Sequence, residues 1–375
     1  MQIGILTFHR ALNCGAMLQA WALRQVLQRM GHQVGFVPNH VGELPRWLGL
    51  PRSGTILGRI RGFCSAVPRN LLSIGCYGKL KNRCRAFQNN HLPEIDLESC
   101  DAVVVGSDQV WRDSLTGNER GLFHGDSIPE GLPLVAYAAS IGDAVPPPEQ
   151  LSSLARSTGR YFRISVREAL VAHVLEPLSR REMPVVVDPT LLLTRLDFTS
   201  IANIDACPKQ PFLFAYAVHA TPFFCRTAQS LAKRMGLGIV ITAACQTTRY
   251  CAPRGLTYAI SPDRMVGCIA NAQCVVASSF HGTALALLHD KPFISLRERS
   301  EIVESRPASL LRQVGENGRL CTPASTLDDM EKMLKENPSP LAQVAVKDMR
   351  ANSLKWLTDT VNAIRDGGNN ALLRH

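Results

Sequence analysis

The chain has 375 residues and a net charge of +10, and 46% of its residues are hydrophobic against 19% charged. This length and composition are typical of two folded domains and exclude a disordered or low-complexity protein. No apolar stretch reaches the length of a membrane span, and the first residues lack a basic and then apolar leader, so we expect a cytoplasmic protein. The twelve cysteines are scattered without a Cys-x-x-Cys pair, which predicts reduced thiols and no metal site.

The first elements predict a parallel α/β unit. Residues 2–8 are an apolar strand, residues 16–30 place apolar side chains at helical spacing, and residues 33–37 form a second strand. Such elements normally form a right-handed βαβ unit in a doubly wound sheet. The loop after the first strand has neither a dinucleotide fingerprint nor a P-loop sequence. It contains His9, Asn13 and Gly15.

A basic segment follows at residues 45–93, where nine lysines and arginines occur without one acidic residue. Apolar residues alternate with these charges, so peripheral contact with an anionic membrane surface is one interpretation. The simpler interpretation is a solvated face over the core, because glycines and prolines interrupt the amphipathic pattern. Nucleic acid is disfavoured as a partner, because no RNA- or DNA-binding signature accompanies the charge.

Four apolar runs predict further strands, within residues 101–111 and at 134–139, 162–166 and 184–187. Polar or flexible residues follow each run: Gly106, Ser107 and Asp108 follow the first, Ser140 the second, Arg167 the third and Asp188 the fourth. Asp108 is suited either to capping the next element or to serving as a base, and capping is the commoner role.

A second α/β unit is predicted from residue 212, after a stretch without regular pattern. Within it, residues 274–288 predict a strand, a tight turn and a helix, with His281 just before the first helical turn. Free backbone N–H groups at a helix N-terminus favour an anion, and an imidazole there is suited to acid/base chemistry. Arg297 follows the next strand, and two helices at 326–335 and 341–365 are predicted near the end.

Ligands of open parallel sheets bind beyond the carboxyl ends of the strands. Because polar residues follow strands in both units, we expect them to converge on a cleft between two domains. Arg167 and Arg297 would there bind a small trianion, whereas an ion pair with the next residue is the simpler interpretation of either alone. The expected cleft residues are His9, Asn13, Ser107, Asp108, Ser140, Arg167, His281 and Arg297.

Six short motifs occur in a fixed order along the chain. They are Thr-Phe-His at 7–9 with Asn13 and Gly15, Val-Gly-Ser-Asp-Gln-Val-Trp at 105–111, Tyr-Ala-Ala-Ser at 137–140, Ser-Val-Arg-Glu at 165–168, Asp-Pro-Thr-Leu-Leu-Leu at 188–193 and Ser-Phe-His-Gly-Thr at 279–283. In this order they resemble the polysaccharide pyruvyl transferase family, over roughly residues 1–300. The resemblance adds Gly15, Ser279, Gly282 and Thr283 to the candidate substrate-binding residues.

The resemblance implies an α/β fold of two Rossmann-like domains in a GT-B-like arrangement with C-terminal helices. Residues 1–193 would be the acceptor domain and 210–325 the donor domain, with helices in 326–375 packing back toward the first domain. It also implies transfer of pyruvate from phosphoenolpyruvate to two hydroxyls of a sugar, which forms a ketal. Phosphoenolpyruvate would be a co-substrate, with no other cofactor. The acceptor would be a cell-surface glycan or its lipid-linked precursor, the latter reached at the inner face of the membrane.

In that chemistry His281 is expected to be the general acid/base, and Arg167 is expected to hold phosphoenolpyruvate. Asp108 or His9 would orient or deprotonate the sugar hydroxyl. Ser279 stands where some family members have an arginine, so the missing charge must come from elsewhere, such as Arg297.

Two alternatives remain open at the level of the sequence. A glycosyltransferase of GT-B type that uses a nucleotide sugar would share the architecture, and a fold does not fix a function. A module without catalytic activity would instead use residues 45–93 to bind an anionic membrane or polymer.

Overall fold

The chain forms two α/β units, each with one five-stranded sheet. The computed structural model describes residues 1–41, 80–205, 207–219, 221–245, 260–298 and 305–367. The basic segment 45–93 therefore lies mostly outside the described residues, and only its last part, which includes a helix over 80–91, is described. Its contact with a membrane stays a prediction. No helix among the residues described has the length and apolar character needed to cross a bilayer.

The first sheet belongs to the N-terminal unit. Its elements are β1 (Gln2–Leu6), α1 (Cys14–Arg29), β2 (Gln33–Phe36), α2 (80–91), β3 (Ala102–Val105), α3 (Asp113–Thr116), α4 (Arg120–His124), β4 (Leu134–Ala139), α5 (Pro148–Ser157), β5 (Arg163–Val166) and α6 (Ala169–Ser179). All strand pairs are parallel and the order is β2-β1-β3-β4-β5. The strand order reverses between β1 and β3, which is where such sheets bind ligands.

The second sheet belongs to the C-terminal unit. The remaining elements are α7 (Pro189–Leu192), α8 (Arg195–Thr199), β6 (Phe212–His219), α9 (Pro222–Arg234), β7 (Gly238–Cys245), α10 (Pro262–Asn271), β8 (Cys274–Ala277), α11 (Phe280–Leu288), β9 (Phe293–Leu296), α12 (Arg306–Gln313), β10 (Leu320–Cys321), α13 (Leu327–Met333) and α14 (Pro340–Arg365). The order β10-β9-β8-β6-β7 is again all parallel. Its strand order reverses between β6 and β8.

Helices cover both faces of each sheet, which explains the continuous apolar runs of the central strands. Every residue of β3, β8 and β9 is buried. The two sheets thus form the two-domain α/β architecture predicted from the sequence. The element bounds do not fix the limits 1–193, 210–325 and 326–375, which stay predictions.

One predicted strand does not form. Residues 184–187 contribute a single parallel bridge, between Val185 and Val166, in place of a strand. Pro184 has no N–H to give to a ladder, and Val185 is 42% exposed, so apolar composition alone was misleading here.

Helix α14 contacts both units. Gln343 Nε2 donates to the carbonyl of Leu287 at 3.0 Å in the C-terminal unit. Farther along the helix, Ser353 Oγ accepts a hydrogen bond from the N–H of Val187 at 3.0 Å. The hydroxyl of Tyr137 holds the carbonyl of Val187, also at 3.0 Å. Both backbone groups of the residue before Asp188 are therefore fixed, one of them by the last helix.

Candidate active site

Arg167 follows β5 and is the central cation of the candidate site. Nε donates to Glu168 Oε1 at 2.7 Å, Nη1 to Asp188 Oδ2 at 2.8 Å and Nη2 to Asp108 Oδ1 at 3.3 Å. Burial alone would lower the pKa of Arg167, but the three carboxylates outweigh it and raise that pKa above its ordinary range. We call these four residues the arginine–carboxylate cluster.

Asp108 reaches the cluster because the backbone turns sharply after β3. Gly106 has a φ of 124°, and a Cβ there would lie 2.1 Å from the carbonyl oxygen of Tyr137, so only glycine fits. Asp108 itself has a φ of 77°, a conformation that costs an ordinary residue about 1–3 kcal/mol and is commonest at functional sites. Its side chain pairs with Arg167 and Arg306, and Arg167, His281 and Arg306 together lower its pKa against the effect of burial.

Asp188, just before α7, links the cluster to His281. Its Oδ1 accepts hydrogen bonds from the N–H and hydroxyl of Thr190 at 3.0 and 2.8 Å. Its Oδ2 accepts from the hydroxyl of Ser107 at 3.1 Å, in addition to Arg167. Burial raises the pKa of Asp188, but His281, Arg167 and the Thr190 N–H outweigh it and hold the pKa well below its ordinary value. The carboxylate is therefore ionised and fixed in place.

His281 lies inside the first turn of α11, not before it as predicted from the sequence. The helix begins at Phe280 because Ser279 caps it, and the Ser279 hydroxyl accepts from the N–H of Gly282 at 2.9 Å. Gly282 therefore belongs to the helix, although the sequence pattern suggested a break there. The imidazole is buried and points away from its own unit, toward Gly15 and Asp188.

Gly15 and His281 approach more closely than any side chain at position 15 would permit. A Cβ on Gly15 would lie 2.3 Å from His281 Nδ1. Gly15 is in the first turn of α1, so residues from the two units meet at this point. The other ring nitrogen, Nε2, lies 3.5 Å from Asp188 Oδ2, which is within ion-pair distance. Nε2 has no hydrogen-bond partner among the residues described, which is unusual for a buried polar atom.

Arg306 also joins the site from the C-terminal unit, and the sequence analysis did not identify it. Its Nη1 lies 3.3 Å from Asp108 Oδ1, the oxygen that Arg167 Nη2 also contacts. Its backbone N–H and Nε both donate to Asp143 Oδ1, at 3.0 and 3.3 Å. Burial raises the pKa of Asp143, but Arg306 and Arg297 lower it below its ordinary value. The sequence Ser305-Arg-Pro is a typical helix start, and it was the only local pattern around Arg306. Such a pattern predicts a helix but does not indicate where the guanidinium group lies.

The smaller predicted residues hold the loops of the site. Asn13 caps α1 and accepts from the N–H of Gly15 at 3.0 Å. Ser140 Oγ accepts from the N–H of Gly142 at 3.0 Å. Thr283 Oγ1 donates to the carbonyl of Ser279 at 3.0 Å. Such bonds fix the backbone around the charged residues, and roles of these side chains in substrate binding stay predictions.

His9 lies in a separate set of contacts in the N-terminal unit. Its Nδ1 contacts the carbonyl oxygen of Thr7 at 3.1 Å, and its Nε2 contacts Glu94 Oε1 at 2.8 Å. Burial lowers the pKa of His9, although Glu94 opposes this shift. Both ring nitrogens are thus engaged, and the predicted contact with the sugar hydroxyl stays a prediction.

Arg297 is half-buried and directly follows β9. It lies close enough to Asp143 to lower the pKa of that carboxyl group.

A small cavity of about 10 Å³ lies between the two units beside the cluster. Its polar lining includes Arg167, Glu168, Asp188 and Arg306. A cavity of this size holds about one water molecule.

Most of the chain matches one known protein family. The model of the family described as polysaccharide pyruvyl transferase matches residues 13–300. The chain belongs to this family. In this pyruvyl transferase family member, Arg306 and the whole of α14 lie beyond the matched region. No curated protein sequence shows significant similarity to the chain.

Solved structures are similar to the chain in fold. A proposed UDP-N-acetylglucosamine 2-epimerase from Listeria monocytogenes has a TM-score of 0.53 at 9% identity, with 93% of this chain and 90% of that chain covered. The UDP-GlcNAc 2-epimerase from Neisseria meningitidis bound to UDP-GlcNAc has a TM-score of 0.48 at 14% identity, with 96% and 99% covered. The Listeria structure shows that this pyruvyl transferase family member has the predicted GT-B-like fold, and at such identity it shows the fold alone.

Proposed function

We propose that the protein transfers the pyruvyl group of phosphoenolpyruvate to two hydroxyls of a sugar in a cell-surface glycan or its lipid-linked precursor. The observation that carries this proposal is His281 Nε2, a buried ring nitrogen without a hydrogen-bond partner among the residues described, 3.5 Å from an ionised carboxylate. A histidine in this position, between two domains and beside arginines, suits proton transfer to a bound anionic substrate. Membership of the pyruvyl transferase family supports the same reaction class.

The first half of the reaction adds one hydroxyl to the donor. His281 gives a proton to C3 of phosphoenolpyruvate, the double bond electrons form the new C3–H bond, and the sugar oxygen bonds to the electron-deficient C2. The hydroxyl proton returns to His281. Asp108, held ionised by two arginines, is suited to accept a hydrogen bond from that hydroxyl and orient it.

The second half closes the ketal. The bond between C2 and the bridging phosphate oxygen breaks, and the leaving phosphate takes the proton from His281. The second hydroxyl bonds to C2 and its proton restores His281. The products are one pyruvate ketal and one inorganic phosphate, so two hydroxyl protons are accounted for, one on the new methyl group and one on phosphate.

Arg167 is at the centre of this site, and each of its three nitrogens already donates a hydrogen bond. All three of its donor groups bind carboxylates. Its predicted contact with phosphoenolpyruvate stays a prediction, and it would use the second N–H of Nη1 or Nη2 or replace one of these carboxylates.

Incubation with isotope-labelled phosphoenolpyruvate and a panel of nucleotide-linked and lipid-linked sugars tests the proposed function. We expect inorganic phosphate to be released in equal amount to a sugar product whose mass has grown by one pyruvyl ketal. Release of UDP or GDP from a sugar nucleotide, without consumption of phosphoenolpyruvate, would contradict the proposal and identify a glycosyltransferase instead.

Gly15→Ala should reduce turnover without unfolding the protein. The new methyl group would overlap His281 Nδ1, so the imidazole must shift, and a displacement of about 1 Å can cost about 10²-fold in rate. Gly159→Ala is the matched control, because a Cβ there meets nothing within 4 Å. Phosphate release at different acceptor concentrations measures both variants. Full activity of Gly15→Ala would show that the position of the His281 ring does not limit the reaction.

A further inference from the structure

Arg306 differs from Arg167 in how completely its guanidinium is used. Each of the three nitrogens of Arg167 binds a carboxylate, and its side chain is only 2% exposed. Arg306 uses Nε and Nη1, while its Nη2 has no hydrogen-bond partner in the part of the chain that the structure describes. Its side chain is 15% exposed. Of these two arginines, Arg306 is therefore the one with a whole terminal nitrogen left for a ligand.

The existing contact of Arg306 with Asp108 is weak for a charge-assisted bond. Its length of 3.3 Å exceeds the 2.7–2.9 Å that is usual for a guanidinium and a carboxylate. Asp108 Oδ1 is shared with Arg167, also at 3.3 Å, so neither arginine binds this oxygen closely. An incoming phosphate with several free oxygens would accept charge-assisted bonds of about the usual 2.7–2.9 Å from the nitrogens of Arg306.

Asp143 fixes the base of the Arg306 side chain. One of its oxygens, Oδ1, accepts from both the backbone N–H and Nε of Arg306. Nη1 and Nη2 therefore extend beyond this anchor, toward the cavity that Arg306 lines together with Arg167 and Asp188. Paired guanidinium nitrogens on an anchored stem are well suited to bidentate binding of phosphate.

We infer that Arg306 binds the phosphate group of the donor, and that it moves from Asp108 to phosphate oxygens when the donor is bound. The inference rests on the proposed function, since phosphoenolpyruvate is the donor considered. The exchange leaves Asp108 Oδ1 with Arg167 alone. This exchange adds a lone pair on Oδ1 to those of Oδ2 that the sugar hydroxyl can use.

The test compares Arg306→Gln with Arg306→Lys, using calorimetric titration with phosphoenolpyruvate and with inorganic phosphate, and steady-state kinetics. Arg306→Gln should weaken binding of both ligands and raise KM for phosphoenolpyruvate about 10–100-fold, the range expected for a charge-assisted hydrogen bond. Arg306→Lys should recover part of the affinity because the charge remains. Arg312→Gln, on the exposed side of the same helix, should bind both ligands as the wild type does.

A second variant, Asp143→Asn, distinguishes two roles of Arg306: binding of phosphate, and an ion pair with Asp143 that joins the two units. It keeps the Arg306 cation but loosens its anchor, so phosphate affinity should fall less than in Arg306→Gln, and a loss as large as in Arg306→Gln would overturn the inference. Unchanged phosphate affinity in Arg306→Gln would also overturn it, as would absence of phosphate binding by the wild type. If the wild type binds phosphate through Arg306 but never consumes phosphoenolpyruvate, the proposed function fails while the anion site stands.

Discussion

Replacement of His281 by glutamine should lower the rate of phosphate release from phosphoenolpyruvate by about 10²–10⁴-fold, the usual contribution of a general acid/base. Glutamine keeps a polar side chain of similar length in the first turn of α11 but transfers no proton at neutral pH. His281 Nε2 makes no hydrogen bond to a described residue, so the substitution breaks none there, and the fold should persist. Single-turnover assays with labelled donor measure the rate, and circular dichroism checks the fold.

His289→Gln is the matched control for this variant. His289 follows the same helix at its other end and is also buried, and burial lowers its pKa to about 4, so it is neutral at pH 7. This variant should keep most of the wild-type rate. If His281→Gln retained turnover while folded, the imidazole would have no part in proton transfer.

Arg167→Met should produce the largest loss of stability, about 3–5 kcal/mol in the free energy of unfolding at neutral pH. Methionine fills similar space but leaves Asp108, Glu168 and Asp188 buried together without their shared cation. Urea unfolding of the folded variant measures the loss. Arg163→Met is the control, because Arg163 is the exposed first residue of β5, the strand that Arg167 follows. Loss of its contact with the Phe162 ring should lower the free energy of unfolding by at most about 1 kcal/mol.

The sign of the pH dependence should differ between Arg167→Met and the wild type. In the wild type the pKa values of Asp108 and Asp188 are lowered, so their stabilising contribution is present at neutral pH and is lost as the pH falls below about 4. Without the guanidinium, burial and mutual repulsion raise these pKa values. The variant should therefore recover part of its stability on mild acidification. If the difference in free energy of unfolding between the two proteins stayed constant from pH 7.5 to 5, this account would be contradicted.

The strands were predictable because local sequence determines them. The apolar runs that became β3, β4 and β8 are short, buried on both faces and bounded by glycine or polar residues. Residues 184–187 have the same composition but lie where a proline interrupts pairing, so the pattern predicted a strand that tertiary structure does not support. The start of α11 was misplaced for a related reason, because Gly282 resembles a break when the capping by Ser279 is not known.

The candidate site was only partly predictable. Because polar residues follow parallel strands, Asp108, Arg167 and His281 could be predicted to share one site. The structure places Arg167 and His281 against Asp188, with Asp108 paired to Arg167. The contact between Gly15 and His281 joins residues far apart in sequence, and no local pattern indicates it. Arg306 was missed because its role depends on where one side chain points across the interface.

The hydrogen bond between Ser353 and Val187 has a consequence for synthesis on the ribosome. The first sheet and the segment carrying Asp188 emerge long before residues 340–365 are translated, so in a nascent chain Tyr137 already binds the carbonyl of Val187 while the N–H of Val187 still lacks Ser353. The backbone beside Asp188 gains its second anchor only when the last helix docks. We therefore expect a polypeptide cut short before residue 353 to lose activity, because the loop beside Asp188 lacks this anchor.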